Sequence, residues 1–426
     1  EAGSRVMSLF QTKEWWAARS TEQYGSGAVV LANLDNEPSG ELKLATGSLS
    51  GLLRFYRPST AEYKLDDLLL EAALDLPILE LCAGRFVSDG KRVALAVLHP
   101  RKLAVYTLST GPTGGAINKA YEHTLDRPAC NMCHGRFGGH GAHDFLAIQS
   151  MDGLITLIEQ DRAQLPRQLS KFLLPGPLAY CAKIDSVLTF NSQLELDCYR
   201  HSALTGGSAG GASAAGERMR PDWSITIGEH VHTVLCARLS KSLSASQVDI
   251  VVLAERLLLL VKENGTVRNQ KRLDYIACCA HAYPHPQASA GGPVTEQLLV
   301  GSRTGSVMVY RDLELIWAAR LPGPPSMLSL GTFGSTPGLI VHMGYDGILS
   351  LLYLGTQQTH RVVAAEGKEL DYEAMDAEHR KLLAVIKGAS SETKREPTDC
   401  IALRAQVSSG RALPVCPSPS RPNHAA

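Results

Sequence analysis

The stretch CNMCHGRFGGHGAHD, which starts at Cys130, crowds Cys130, Cys133, His134, His140 and His143 into one short segment. A Cys-x-x-Cys pair followed by His-x-x-His offers four zinc ligands of the right types, and a zinc held this way could activate water for hydrolysis. The elements that would have to position these ligands argue against it. Both cysteines fall on an expected inner β-strand, where residues i and i+3 point to opposite faces. The histidines fall in the Gly-rich loop that follows. A buried cysteine with exposed loop histidines is the better reading, and no metal site is expected. Gly206-Gly207-Ser208-Ala209-Gly210 matches the G-x-S-x-G pattern. A nucleophile elbow needs a buried strand before it and a helix after it, and this match lies in low-complexity sequence instead. There is no P-loop and no G-x-G-x-x-G after a strand. No catalytic residue and no cofactor are expected. Asn264-Gly265-Thr266 fits a glycosylation acceptor, but Asn-Gly is equally a turn signal, and the turn is favoured.

The elements around these candidates repeat. Two apolar stretches flank a tight turn in KLATGSLSGLLRFYRP from Lys43, FLAIQSMDGLITLIEQ from Phe145, QLLVGSRTGSVMVYRD from Gln297 and LIVHMGYDGILSLLYLG from Leu339. Weaker copies start at Val93, Ser186 and Val248, which makes seven. Gly51, Gly153, Gly305 and Gly347 sit where a hairpin turn needs positive φ. The flanking runs are apolar throughout, as strands buried on both faces would be. The turns recur roughly every 40 to 60 residues, the spacing of propeller blades. A second pattern links the hairpins: an outer apolar strand, a short connection often containing Pro, and an inner strand. It is seen in LLLEAALDLPILELCAGRF from Leu68 and IWAARLPGPPSMLSLGTF from Ile316.

Four strands per unit and seven units predict an all-β, seven-bladed β-propeller over residues 7–366. Two stacked β-sandwiches would explain the hairpins but not their sevenfold recurrence. Blade 7 lacks a fourth strand of its own. Either the N-terminal SLFQTKEWW or the HRVVAA segment after Thr359 could supply it, and the former would fasten the ring and remove an exposed edge. Trp15 and Trp16 are adjacent, so alternation predicts one inward and one near the surface. The Gly/Ala/Ser-rich residues 204–216 read as a mobile insertion between the third and fourth strands of blade 4.

The chain has 426 residues, with 42 Lys+Arg balancing 42 Asp+Glu, 44% hydrophobic and 20% charged. These are globular values, and zero net charge argues against a nucleic-acid partner, which would need a basic excess or a basic face. The ten cysteines are irregularly spaced and sit in apolar runs, as free thiols in a reducing compartment do. The segment after Met7 lacks the apolar core of a signal peptide. The longest apolar run, IVVLAERLLLLV, is interrupted by Glu255 and Arg256 and is too short to span a bilayer. A soluble, intracellular protein is expected. Residues 1–6 precede Met7, a plausible start, and read as a non-native remnant.

Residues 367–388 carry a different period. Tyr372, Met375, His379, Leu382 and Ile386 follow 3-4-3-4 spacing, which predicts one amphipathic helix with Asp371 as its cap and Gly388 as its stop. The apolar face of Tyr372, Met375, Leu382 and Ile386 is the candidate partner-binding surface, docking on the ring or pairing with another helix. Residues 389–426 are Ser/Pro/Arg-rich and are expected to form a disordered tail.

With the ring in place, particular phrases stand out: MSLFQTKEWW at Met7, VVLANLDN at Val29, TGSLSGLLRFYRP at Thr46, LAVLHPRKLAVY at Leu95, IQSMDGLITLIEQ at Ile148, FLLPGPLAY at Phe172, DWSITIGE at Asp222 and GYDGILSLLYLGT at Gly344. In this order they resemble the N-terminal half of the family of parathyroid-hormone-responsive BBSome subunits, the ninth Bardet–Biedl syndrome protein. The resemblance runs over about residues 7–388, and the Gly/Ala/Ser insertion is a local departure. It implies a seven-bladed propeller, a helical linker, then an ear-like domain and a platform domain. The last residues of this chain do not resemble that ear domain, so a fragment or a short form is expected. The resemblance also implies a non-catalytic scaffold in a coat-like ciliary complex, with other BBSome subunits as partners. Ciliary membrane-protein cargo and the membrane surface would be met through the assembled complex. Cytoplasm, cilium and basal body are the implied locations. Two other readings carry different tests: a propeller subunit of another vesicle coat or tethering complex, and a zinc-dependent hydrolase built on Cys130 to His143.

Overall fold

The structure, a computed structural model, describes residues 6–88, 90–111, 114–139, 143–164, 166–206, 218–240, 247–284, 295–355, 358–364 and 369–392. Up to Glu373 they form one compact unit. It contains seven sheets of at least four strands, the four strands of each blade antiparallel, a seven-bladed β-propeller. The seven expected hairpins are the second and third strands of the blades, from Lys43–Gly47 with Leu52–Tyr56 in blade 1 to Thr336–Gly344 with Ile348–Tyr353 in blade 7.

Alternation along these strands explains why their sequences are apolar throughout. In blade 5, Ile250 and Val252 pack toward blade 4, while Val251 and Leu253 pack toward blade 6. The core is accordingly divided into seven apolar clusters, one between each neighbouring pair of blades. A blade has no private core, so each is stable only between two neighbours.

The expected turn glycines hold. Gly153 and Gly347 have φ of 83° and 80°. A Cβ would lie 2.5 Å from the Lys171 carbonyl oxygen at the first and 2.5 Å from the Ser20 carbonyl oxygen at the second. Backbone conformation and close approach therefore both demand glycine.

Both candidates for ring closure are used, in different places. Lys13–Arg19 is the fourth strand of blade 7, antiparallel to Ile348–Tyr353. The residues just before it, Val6–Gln11, run parallel to the outer strand Glu314–Arg320 of blade 6 and meet it at Phe10 and Gln11. Gln358–Ala364 then pairs antiparallel with Val6–Gln11, so the blade 6 sheet has six strands. Val6 thus starts an element of the ring rim, although the sequence placed it in a leading remnant. Glu369–Asp371, within the expected linker segment and ending at the expected cap, adds to the outer strand Val267–Arg272 of blade 5. Extended backbone there completes hydrogen bonds that a helix would leave open on that sheet edge.

Two further expectations are corrected. Trp15 and Trp16 are both buried, at 9% and 1% exposure. A bulge between Glu14 and Trp16 inserts Trp15 as an extra residue and breaks the alternation. Trp16 donates from Nε1 to the buried Asp67 carboxylate at 2.9 Å. Leu204, assigned to the mobile insertion, is instead buried beside Phe137, Leu157 and Tyr199 at the end of the short helix His201–Leu204. Residues 207–216 of that insertion lie outside the described residues.

The second unit holds a helix that spans Tyr372–Glu392 with its first residues in the propeller unit. It passes through Gly388, which does not take the left-handed conformation of a helix stop. An interior glycine costs about 1 kcal/mol relative to alanine, too little to end a helix by itself. Residues 389–392, expected in the tail, are helical for the same reason, and residues 393–426 lie outside the described residues.

Candidate functional site

The Cys/His cluster is pulled apart by the strand that carries it, Ala129–Gly135 in blade 3. Cys130 is the extra residue of a bulge between Ala129 and Asn131. Cys133 packs with Phe137, Ala147 and Val187 toward blade 4. His134 turns the other way, with Nε2 at 3.1 Å from the Ala83 carbonyl oxygen and its ring beside Phe86. Burial pushes the Cys130 thiol up to about 12 and raises Cys133 as well, so both hold their protons where a zinc ligand must lose them. Burial also lowers the pKa of His134. His143 is half-buried in the loop, and His140 lies outside the described residues. Among the described residues, Cys130, Cys133, His134 and His143 are packed side chains and do not converge as ligands. Of the G-x-S-x-G match, only Gly206 is described; it has a φ of 82°. It follows a one-turn helix, not the buried strand that an elbow requires. Asn264-Gly265 is a turn: Asn264 Oδ1 accepts from the Thr266 N–H and hydroxyl, and Gly265 has a φ of 85°.

The helix is the remaining sequence candidate. Its first residues are fixed to blade 5. The Asp371 carboxylate accepts the Glu373 N–H at 3.0 Å, as a cap does. The Tyr372 hydroxyl donates to the Gln270 side-chain oxygen at 3.0 Å, and Lys262 pairs with Glu373 at 2.9 Å. Beyond this root, Met375, Leu382 and Ile386 are exposed, at 55%, 55% and 60%, and Tyr372 is 37% exposed. Leu383 and Val385 are exposed too and widen the face beyond the expected stripe. Asp376 and Arg380 form an ion pair one turn apart on the same helix. An apolar helical face in water is unfavourable unless something covers it. Sequence spacing found the stripe but not its anchors, because Lys262 and Glu373 are separated by 111 residues.

No helix among the described residues is long and apolar enough to cross a membrane.

Comparison with known proteins places this ring. The solved structure of BBS1N in complex with ARL6DN, soaked with lead, superposes with a TM-score of 0.60 at 14% identity, covering 84% of this chain and 100% of that one. The WD40 domain of Neurospora crassa Pan2 superposes with a TM-score of 0.54 at 8% identity over 85% of this chain. These two likenesses are of fold alone. Among curated sequences, Protein PTHB1 of Xenopus laevis is 35% identical over 94% of this chain and 49% of its own length. Protein PTHB1 of Homo sapiens is 35% identical over 89% of this chain and 44% of its own. The chain therefore spans about half the length of the curated relatives it matches. Residues 7–358, from the rim strand through all seven blades, match the PTHB1 N-terminal family. The eight phrases of the resemblance all lie within that span, and the chain belongs to the PTHB1 N-terminal family.

Proposed function

We propose that this chain is the propeller portion of a non-catalytic scaffold subunit of the BBSome, which carries membrane proteins to and from cilia. The observation that carries this reading is the family match along the whole ring, residues 7–358. A rigid disc with two loop-lined faces suits protein–protein contact. Its partners are other BBSome subunits; cargo and the membrane surface are met through the assembled complex, and no nucleic acid is involved. The locations that follow are the cytoplasm, the cilium with its membrane, and the basal body region. Within this reading, Tyr372, Met375, Leu382 and Ile386 form a contact with a neighbouring subunit, because a helical stripe so exposed is covered in an assembly.

The test uses the double variant Leu382→Asp, Ile386→Asp. Two charges placed in a buried contact cost several kcal/mol. The variant of this chain should unfold at the midpoint of the parent, while the full-length subunit carrying it should fail to recover its partner subunits from ciliated cells. Undiminished recovery together with a lowered midpoint would assign the stripe to packing within the chain. If the parent recovers no BBSome subunit at all, the scaffold reading itself falls.

A further inference from the structure

We propose that a cavity in blade 5 binds a free α-ammonium group together with its neighbouring carbonyl oxygen, the pair of groups presented by a polypeptide N-terminus. The cavity has a volume of about 370 Å³, and Asp249, Lys262, Glu263, Asn264, Arg268 and Glu373 line it. It opens where the turn between the third and fourth strands of the blade, Lys262 to Gly265, meets the start of the second strand, Asp249–Ala254.

The electrostatics of the cavity are incomplete. Asp249 and Arg268 pair with each other and are 1% and 4% exposed. Asp249 Oδ1, Arg268 Nε and Glu263 Oε1 are nevertheless buried without any hydrogen-bond partner. Each such atom is costly, more so on a charged group, and an unsatisfied group in a native fold calls for a missing ligand or water. Two of the three are carboxylate oxygens that only accept, and the third is a guanidinium N–H that only donates. The occupant must therefore donate twice and accept once. Three carboxylates, Asp249, Glu263 and Glu373, face two cations, Lys262 and Arg268, so the occupant should also carry a positive charge.

Few groups meet these conditions. A lysine or arginine side chain only donates and would leave Arg268 Nε unpaired beside another cation. A phosphate or carboxylate would be repelled by the net negative wall. No three Asp, Glu, His or Cys side chains among the described residues come together in a way that could hold a metal ion. Water meets the donor and acceptor count but leaves the charge unbalanced. An α-ammonium supplies the donors and the charge, and the adjoining carbonyl oxygen accepts from Arg268 Nε.

The titrations of both sides bound the pH window. Burial is the main cause that raises Asp249; Arg268 opposes it, Glu373 and Asp312 add to it, Lys262 opposes it, and together they leave the group at about 6. An α-amino group loses its proton near pH 8. Binding should therefore peak between about pH 6 and pH 8 and fall on both sides.

The experiment titrates the 426-residue chain with alanyl-alanine amide, its N-acetylated form and free alanine, followed by ligand-observed NMR. The free-amine peptide should saturate, and the acetylated one should not. Glu263→Gln, which keeps the shape of a half-buried side chain, should weaken binding by about tenfold or more at an unchanged thermal midpoint. The dipeptide amide should bind more tightly than alanine, whose carboxylate the negative wall repels; tighter binding of alanine would overturn a polypeptide N-terminus as the ligand. Equal binding of the acetylated peptide, no saturable binding by either free amine, or an unaffected Glu263→Gln variant would each show that the cavity holds water only.

Discussion

Lys13–Arg19 and Gln358–Ala364 could each have completed blade 7, and the structure separates their roles. Lys13–Arg19 enters the sheet and places Trp15, Trp16 and Ala18 in the cluster shared with Tyr24, Leu44 and Phe333 of the blade 7–blade 1 boundary. Gln358–Ala364 stays on the rim of blade 6 and, among the described residues, pairs with Val6–Gln11 alone. That rim strand touches blade 6 itself at just two register positions. A strand between blades contributes through side chains on both faces, about 1.5–3 kcal/mol for each large apolar group buried. The rim strand Val6–Gln11 buries Leu9 and half-buries Phe10, and beyond these adds backbone hydrogen bonds of about 0.5–1.5 kcal/mol each. Closure of the ring should therefore depend on which side chains an end buries more than on how many strands it pairs with.

The largest expected effect comes from Trp16→Ala. It removes a ring with 1% exposure and leaves the buried Asp67 carboxylate without its indole donor. A loss of about 3–5 kcal/mol is expected in urea unfolding. A shift below about 1 kcal/mol would mean that the seam is not where the ring is held. Next comes Gly347→Val in the turn of the same blade. Its Cβ would meet the Ser20 carbonyl oxygen just past the closing strand, at a φ that valine avoids. About 2 kcal/mol or more should be lost, visible as a lowered thermal midpoint. The smallest is Phe10→Ala on the rim strand. Phe10 is half-buried and stacks on Trp317 with ring centroids 4.0 Å apart. A loss of about 1–2 kcal/mol is expected, with the ring still closed. If Phe10→Ala destabilised more than Trp16→Ala, the rim would be the true fastening and the comparison would reverse.

Much of the ring was legible because a propeller repeats its local chemistry. Hairpins with Gly51, Gly153, Gly305 and Gly347 in their turns recur where the fold needs positive φ, and every one of these glycines has it. What escaped reading depends on single extra residues or on distant partners. The bulges at Trp15 and Cys130 each add one residue to a strand, and neither sequence contains a turn signal that would mark it. Leu204 looked like the start of a Gly/Ala/Ser insertion because its neighbours in the core, Phe137 and Leu157, come from another blade. Gly388 carried a stop signal that the helix ignores, since propensity at one position is weak against a continuing run. The helical stripe was found from its period, whereas Lys262, Gln270, Asp249 and Arg268 carry no pattern that relates them to one another or to residue 373. Charged groups in a cavity are assembled by the fold, and sequence spacing does not record it.

The pairing of Val6 with Ala364 has a mechanical consequence. In this antiparallel pair the residues leading outward on both strands lie at the same end, so tension between them would load the hydrogen bonds one at a time from that end. Such a joint unzips under a small force, where a joint pulled along its strands would shear all its bonds together. Inward of it come first the parallel contact of Phe10 and Gln11 with Ala319 and Arg320, and then Lys13 against Tyr353, at the near end of an antiparallel pair, where the two tryptophans must leave the core before the strand can peel. A pull across these two ends would thus meet a soft latch first and a stiff one second. The rim pair could yield and re-form while the seven blades remain a closed disc.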